Sequence, residues 1–284
     1  MNPLQIRRIT PIAVFVASVG LFAGGCGGEP AVAEAEPAPK AKPVQAAPAP
    51  APAPEAEAPD PTAGLPKSPA TFAEAKLKAE AVHASDPRTL FCGCQYASGK
   101  VVRSTCGYQV RADEELARTL VWEQIVPVRA FGAQRDCWKS AVCKDESGQA
   151  YRGVRCCEQV DPVFRTMQND LHNLAPVAGE LASDRSGFGF GEIPREQRMY
   201  GMCDFEVDTV AGVAEPREEI RGDIARAYLY MHETYGDAVS IPAEDLELYR
   251  KWHEADPPTP EEVARNAKIA EIQGKANPFI PLPG

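Results

Sequence analysis

The sequence has no apolar run long enough to cross a bilayer as a helix. The apolar run near its start, from Ile12 to Ala23, follows Arg7 and Arg8 and is shorter than the ~20 apolar residues that a spanning helix needs. A basic start, a short apolar run and then small residues are typical of a secretory signal. We therefore predict that the chain is exported and that residues 1–25 are its signal peptide.

The segment "AGGC", which ends at Cys26, resembles a bacterial lipoprotein signal, in which the cysteine becomes the acylated first residue. It departs from that pattern at Ala23, where leucine is commonest. Gly27 is not the aspartate that usually retains lipoproteins in the inner membrane. The resemblance implies an outer-membrane lipoprotein that faces the periplasm or the cell surface and contacts the membrane through its lipid alone. The alternative is a simple secretory signal cut nearby, with Cys26 left free.

Residues 26–70 have almost no large apolar side chains and cannot build a core. Their alternating proline and alanine residues favour extended polyproline II. Such a segment is a semi-rigid spacer between a lipid anchor and a folded part. The foldable sequence is then 71–284, which has the length of one domain.

The sequence also lacks the recurring CxxC pairs that mark zinc sites. Apart from Cys26 it has an even set of cysteines, which in an exported protein predicts disulfide bonds. Their spacing leaves the pairing open. The disulfide candidates are Cys92, Cys94, Cys106, Cys137, Cys143, Cys156, Cys157 and Cys203.

The sequence also has no excess of positive charge. The whole chain carries a formal charge of −10, and residues 71–284 contain 25 basic against 34 acidic side chains. A surface that binds nucleic acid would have to be a local basic patch on an acidic body. The alternative is that the acidic balance is a solvated surface without a partner.

Helix signals lie at both ends of the foldable part. Thr71 followed by Glu74 is a capping-box signal and predicts a helix through His83. Thr259 followed by Pro260 predicts a helix that stops at Gly274. A third helix is predicted for residues 217–236, with its apolar residues at helical spacing on one face. Those residues are Ile220, Ile224, Tyr228 and Met231.

Short strands and further helices are predicted between these ends. Residues 89–96 and 101–110 are rich in β-forming residues around a turn at 97–99, which predicts a hairpin, and 113–120 predicts a short helix. Residues 162–174 predict one helix with Phe164, Met167, Leu171 and Leu174 in a core stripe. Asn169, Asp170, His172 and Asn173 fall off that stripe. The predicted class is α+β, mostly helical with a small antiparallel sheet.

One stretch, "LVWEQIVPVRAFG" from Leu120 to Gly132, contains a pair of polar residues between an apolar run and a proline. Glu123 can hold a cation. Gln124 cannot take up a proton at pH 7, because a neutral amide has no basic site. The stretch is therefore a working site, a modified site or only a strand end.

Ordered blocks along the foldable part resemble bacterial endonuclease I, the secreted or periplasmic non-specific nucleases of the ββα-metal (His-Me finger) superfamily. The resemblance runs from about Phe72 to Phe279, while "AGGC" and the spacer lie outside it. It implies a ββα-metal motif within the α+β fold. The blocks are "FCGC", "CGYQVRADEELAR", "WEQIVPVRAFG", "CW", "FRTMQNDLHNLAPVAGE", "DRSGFGF", "YGMC", "RGDIARAYLYM" and "IAEIQGKANPF".

The resemblance implies hydrolysis of phosphodiester bonds with one divalent cation, Mg²⁺ or possibly Mn²⁺. The family's metal ligands fall on Glu123 and Asn173. The histidine that serves the family as general base falls on Gln124. General-base help contributes roughly 10²–10⁴-fold in rate, so a glutamine here leaves much of that factor unused.

Two further positions bear on the chemistry that the resemblance implies. The family often has an arginine that steadies the scissile phosphate, but "CWKSAVC" contains only Lys139. Arg152 and Arg155 are the nearest substitutes, and Arg155 is preferred because it adjoins a predicted disulfide. The alternative is that both are surface arginines. His172 is a possible substitute base, although it belongs to the usual family motif, where its place is structural.

Two functions remain open from the sequence. The first is an Mg²⁺-dependent endonuclease of low sequence specificity that acts on DNA, possibly also RNA, outside the cytoplasm. The second is a catalytically impaired relative with a nucleic-acid-binding or structural role. Glu123 and Asn173 favour the first, whereas Gln124 and the acidic charge favour the second. We expect a monomer in either case.

Overall fold

The computed structural model describes residues 59–283 and has the α+β fold that the sequence predicts. The predicted signal peptide, Cys26 and most of the predicted spacer lie outside the described residues. The helices are α1 (Phe72–His83), α2 (Glu114–Arg118), α3 (Val128–Gly132), α4 (Asp136–Lys139), α5 (Val154–Val160), α6 (Pro162–Gln168), α7 (Gly179–Arg185), α8 (Arg221–Tyr235), α9 (Ala243–Ala255) and α10 (Pro260–Gln273).

The strands are short and form several small sheets rather than one. Three two-stranded antiparallel sheets are made by β1 with β2, β3 with β6, and β4 with β5. In a fourth sheet, of three strands, β9 lies between β7 and β8. The β7–β9 pair is parallel. The strands are β1 (Tyr96–Ala97), β2 (Lys100–Val101), β3 (Leu120–Gln124), β4 (Cys143–Lys144), β5 (Ala150–Tyr151), β6 (Leu174–Ala178), β7 (Gly189–Phe190), β8 (Phe205–Asp208) and β9 (Val213–Pro216).

The capping signals place the terminal helices correctly. The Thr71 side chain accepts a hydrogen bond from the N–H of Glu74 and begins α1. Thr259 and Glu262 form a complete capping box at the start of α10, which ends at Gly274 in a left-handed conformation. Helix α8 likewise ends before Gly236. The sequence analysis did not predict α9, which packs beside α8.

The helix predicted over 162–174 is shorter in the structure. Helix α6 ends at Gln168, and residues Leu171–Asn173 form a separate 3₁₀ turn. Buried Asp170 causes the break, because its side chain caps this turn through the N–H of His172. Tyr230 and Tyr235 also donate their hydroxyl hydrogens to Asp170. These tertiary bonds outweigh the helical periodicity of the apolar residues.

The predicted hairpin is real but its strands are much shorter than expected. Only β1 and β2 pair, around the turn at Ser98 and Gly99. The segments on either side of β1 and β2, which were predicted to be strands, are held by disulfides instead of strand pairing. All eight predicted cysteines are paired, as Cys92–Cys203, Cys94–Cys106, Cys137–Cys157 and Cys143–Cys156.

The end of the predicted spacer packs against the folded body. Pro66 and Pro69 are buried, and the Asn169 side chain donates to the carbonyl of Pro69 at 2.9 Å. Leu65 contacts the main hydrophobic core. Within residues 59–283, none of the helices combines the length and the apolar character needed to cross a membrane.

Candidate active site

Strands β3 and β6 bring the two predicted metal ligands to the same end of a small sheet. Glu123 is paired with Ala175 and Gln124 with Leu174, and the N–H of Ile125 donates to the carbonyl of Asn173 at 2.9 Å. Asn173 is therefore the diagonal neighbour of Glu123, a position within reach of long side chains. Helix α7 follows β6 directly, and the two strands with this helix are consistent with a ββα-metal motif.

Glu123 has one oxygen in use and one that is free. Its Oε1 accepts a hydrogen bond from Nη1 of Arg185 at 2.9 Å. Its Oε2 is buried and has no hydrogen-bond partner among the described residues. Burial raises the pKa of Glu123 above its ordinary value, and the nearby Arg185 opposes that rise. A buried carboxylate oxygen without a partner is costly, and a bound cation would offset that cost.

Arg185 fixes the end of β3 and the orientation of Glu123. Its side chain is fully buried and lies over the ring of Phe190 at 4.2 Å. Besides Glu123, its guanidinium donates to the carbonyls of Gln124 (2.9 Å), Ile125 (2.6 Å) and Phe188 (3.0 Å). From the sequence, Arg185 was predicted to be either a structural or a backbone-contacting group. Only the contacts across the fold identify it as the residue that positions Glu123.

Asn173 is completely buried and bound to the backbone of Val126. Its Oδ1 accepts from the N–H of Val126 at 2.7 Å, and its Nδ2 donates to the carbonyl of Val126 at 3.0 Å. These two bonds set which amide atom is the oxygen. An amide oxygen has two lone pairs, so one acceptor position of Oδ1 is left.

Gln124 is half-buried and does not bind Glu123. Its Nε2 donates to the backbone carbonyl of Gln168, at the end of α6, at 3.3 Å. The Gln168 side chain is itself held by Glu158 at 2.6 Å. Nothing in the local sequence around 168 indicated this contact, because it depends on how α6 packs against β3.

The free atoms fit a hard divalent cation. Mg²⁺ prefers oxygen ligands and binds through one or two carboxylates while it keeps several waters. Glu123 Oε2 and the remaining lone pair of Asn173 Oδ1 are ligands of this kind. The orphaned Glu123 oxygen is the observation that supports the fit.

The two candidate phosphate-binding arginines lie on the surface. Arg155, on α5, is exposed, and its guanidinium stacks over the ring of Tyr151 at 4.3 Å. It directly precedes Cys156, which is disulfide-bonded to Cys143. Arg152 donates to the carbonyl of Lys139 at 2.6 Å. Arg155 therefore has a guanidinium edge free for a phosphate, whereas one Arg152 donor is already in use.

His172 is a packing residue rather than an available base. Its ring is buried against Tyr230, with Nε2 at 3.1 Å from the carbonyl of Lys275. Burial lowers the pKa of His172. The backbone N–H of His172 also binds Asp170. These contacts hold the 3₁₀ turn that carries Asn173.

Comparison with known proteins identifies relatives of this chain. The family model described as Endonuclease I matches residues 72–284. An extracellular deoxyribonuclease of Aeromonas hydrophila is 36% identical over 215 residues, covering 74% of this chain and 87% of the relative. A periplasmic deoxyribonuclease of the same organism is 34% identical over 215 residues (74% and 85%). Endonuclease-1 of Buchnera aphidicola subsp. Acyrthosiphon pisum is 32% identical over 218 residues (75% and 82%). The chain therefore belongs to the endonuclease I family.

Proposed function

We propose that this protein is an Mg²⁺-dependent endonuclease that hydrolyses phosphodiester bonds of DNA with a reduced rate. The observation that carries the proposal is the buried, partnerless Oε2 of Glu123 beside Asn173. The relatives named as deoxyribonucleases support DNA as the substrate. RNA remains a possible second substrate, and Mn²⁺ a possible replacement for Mg²⁺.

Glu123 and Asn173 would hold the cation through their oxygens. When bound, Mg²⁺ supplies charge stabilisation for the oxygen that leaves the phosphate. Arg185 keeps the Glu123 carboxylate oriented, so that little rearrangement is needed when the ion binds. Arg155 offers a charged, planar donor for a phosphate oxygen.

Gln124 can orient the attacking water but cannot accept its proton. Because Nε2 of Gln124 donates to Gln168, its Oε1 is the atom that can accept a hydrogen bond from water. An amide oxygen has no useful basicity at pH 7. The roughly 10²–10⁴-fold contribution of a general base is then missing, and catalysis depends on the metal and on positioning.

A second candidate function follows from the same residue. With a glutamine at the base position, the protein could be a catalytically impaired relative that binds nucleic acid or has a structural role. The acidic charge of residues 71–284 also favours this candidate. The intact arrangement of Glu123, Asn173 and Arg185 favours the enzyme.

We further propose that the protein is exported and anchored to the outer membrane through a lipid on Cys26. The "AGGC" segment and the spacer that follows it support this proposal. The relatives named as extracellular or periplasmic support export. The anchor would keep the domain near the membrane while DNA diffuses to it.

Plasmid cleavage by the purified protein tests the enzyme proposal. We expect cleavage with Mg²⁺ or Mn²⁺ and none with EDTA. Glu123→Ala and the isosteric Glu123→Gln should lower the rate at least ~10²-fold. Each removes a ligand of the metal, and a bound metal lowers the activation barrier by several kcal/mol. Glu271→Ala is the matched control, because Glu271 is an exposed carboxylate on α10.

The two candidates give different results. Cleavage that persists at the wild-type rate in folded Glu123→Gln would contradict the assigned metal site. A folded wild-type protein that binds plasmid DNA in a gel-shift assay but never cleaves it would support the impaired relative. Loss of cleavage in the Glu271→Ala control would show that the assay reports folding rather than chemistry.

A further inference from the structure

A second group of carboxylates lies outside the Glu123 site. Glu196 belongs to the long loop between β7 and β8, Asp204 ends that loop, and Glu206 is on β8. One oxygen from each of the three side chains lies within 4.8 Å of the others. Three carboxylates at this distance repel each other unless a positive charge offsets them, and the Arg198 guanidinium approaches all three.

Glu206 is the unusual member of this group. Its side chain is only 2% exposed, and neither of its oxygens has a hydrogen-bond partner among the described residues. Across the β8–β9 pair it faces another carboxylate, Glu215. Glu215 accepts hydrogen bonds from Arg221 and from the N–H of Ile193. Both donors are bound to Glu215 and make no hydrogen bond to Glu206. A buried carboxylate with both oxygens free is rare in folded proteins.

The nearest positive charge is the guanidinium of Arg198. Nη1 of Arg198 is 3.7 Å from Glu206, too far for a hydrogen bond. Arg198 also contacts Asp204 and lies 3.5 Å from Glu196, and its side chain is 51% exposed. Exposed ion pairs contribute little to stability. A metal ion among the three carboxylates would therefore have to displace the Arg198 guanidinium, which can move into solvent because its side chain is half-exposed.

We propose that Glu196, Asp204 and Glu206 form a Ca²⁺ site. Carboxylate oxygens are the ligands that Ca²⁺ prefers, at about 2.3–2.6 Å, so two oxygens on one ion are at most about 5.2 Å apart. The 4.8 Å limit in this group lies within that range. Mg²⁺, in contrast, demands near-ideal octahedral geometry at about 2.0–2.1 Å. Ca²⁺ also accepts the irregular geometry that a loop and a strand supply.

The site would fasten the β7–β8 loop to the sheet. Glu196 and Asp204 come from the loop, while Glu206 comes from β8, so one ion joins the two. The same loop contains Cys203, which directly precedes Asp204, and its disulfide to Cys92 fixes this end of the loop to a distant part of the chain. The ion is thus structural, separate from the chemistry proposed at Glu123. Calcium sites of extracellular modules have dissociation constants of about 10⁻⁴–10⁻³ M.

Thermal unfolding of the purified full-length protein tests this site. After treatment with EGTA, Ca²⁺ at about 10 mM should raise the unfolding midpoint by about 3–10 °C, because it binds only the folded state. Mg²⁺ at the same concentration should raise it less. Glu206→Gln should remove the response to Ca²⁺. Glu196→Gln and Asp204→Asn, at more exposed positions, should remove most of it and are less prone to misfolding.

Two controls separate this site from the catalytic one. Glu123→Gln should keep the full response to Ca²⁺, since Glu123 is not a ligand of this site, and Glu271→Gln should also keep it. The proposal is overturned if, in the Glu123→Gln background, which lacks a ligand of the proposed catalytic metal site, Ca²⁺ leaves the midpoint unchanged or Mg²⁺ is at least as effective. An undiminished Ca²⁺ response in folded Asp204→Asn and Glu196→Gln would overturn it too.

Discussion

At the scale of single residues, Gln124 controls the expected rate. Its amide lies where the family resemblance predicts a histidine, and its Nε2 donates to the carbonyl of Gln168. A histidine at this position could make the same donation with one ring nitrogen. That bond would fix the tautomer and leave the other nitrogen free to accept a proton. The surroundings of Gln124 are therefore suited to a base that the residue itself cannot provide.

The substitution Gln124→His is expected to raise the plasmid-cleavage rate at least tenfold, a conservative part of the roughly 10²–10⁴-fold range for general-base help. The imidazole must be neutral to act, so the gain should grow as the pH rises through about 6.5. Initial cleavage rates at several pH values measure this effect. Glu123→Ala should abolish activity in either background.

Gln124→Met is the matched control for that substitution, because it keeps the size of the side chain and supplies no base. It should cleave no faster than the wild type. If folded Gln124→His binds Mg²⁺ and cleaves no faster than the wild type, Gln124 is not at the base position, or another group already supplies the base.

At the scale of secondary-structure elements, Glu180 joins α7 to the chain that enters α2. This carboxylate is buried, and its Oε1 accepts from the N–H groups of Ala112 (2.6 Å) and Asp113 (2.7 Å). Its Oε2 accepts from Tyr108 (2.5 Å) and from the N–H of Arg111 (3.2 Å). Helix α2 leads directly into β3, so Glu180 supports the strand that carries Glu123.

Glu180→Gln should lower the free energy of unfolding by about 3 kcal/mol, because a neutral amide cannot accept all four hydrogen bonds and leaves donors unsatisfied. Urea unfolding monitored by circular dichroism at pH 7 measures this loss. Glu115→Gln is the control, since the Glu115 side chain is 79% exposed. A loss equal to that of the control would contradict the role given to Glu180.

The pH dependence of stability gives a second test of Glu180. Burial tends to raise the pKa of Glu180, but the hydrogen bonds from Tyr108 and the backbone outweigh burial and lower it below the usual value. A lowered pKa in the folded state contributes stability that is present above the unfolded pKa of about 4.3 and is lost as pH falls through the folded pKa. Unfolding midpoints below pH 4.3 should therefore fall more steeply for the wild type than for Glu180→Gln.

At the scale of the whole molecule, the disulfides differ in how much chain they close. Cys92–Cys203 spans 111 residues, whereas Cys143–Cys156 spans 13. Loop-closure entropy gives about 5 kcal/mol for the first and about 3 kcal/mol for the second. The Cys92→Ser/Cys203→Ser protein should therefore lose about 2 kcal/mol more unfolding free energy than Cys143→Ser/Cys156→Ser. Equal losses in denaturant unfolding would contradict this ranking.

The position of the protein in the cell depends on Cys26. Cys26→Ala should release the protein into the soluble periplasmic or culture fraction, because the predicted spacer has no apolar stretch to hold it. Cell fractionation followed by immunoblotting measures the distribution. A variant that changes a spacer residue, Lys40→Ala, should stay with the membrane. Membrane retention of Cys26→Ala would show that the lipoprotein prediction is wrong.

The sequence by itself determined the class of the fold and the ends of its capped helices. Capping at Thr71 and Thr259 and the stop at Gly274 are local, because one side chain and the nearby backbone decide them. The even set of cysteines in a chain predicted to be exported indicated disulfides from composition alone. Ordered motifs along the chain indicated the family, and with it the positions of Glu123, Gln124 and Asn173.

Only the tertiary structure decided which of these residues have side-chain atoms without a hydrogen-bond partner among the described residues. The pairing of the cysteines, the early end of α6 at Gln168 and the shortness of the strands all depend on partners distant in sequence. Arg185 lies 62 residues from Glu123 along the chain, yet it occupies one Glu123 oxygen and leaves the other free. Burial of Glu206 is likewise a property of the packed sheet. Local patterns do not encode such contacts, because a side chain's partners and its burial are set by how the elements pack.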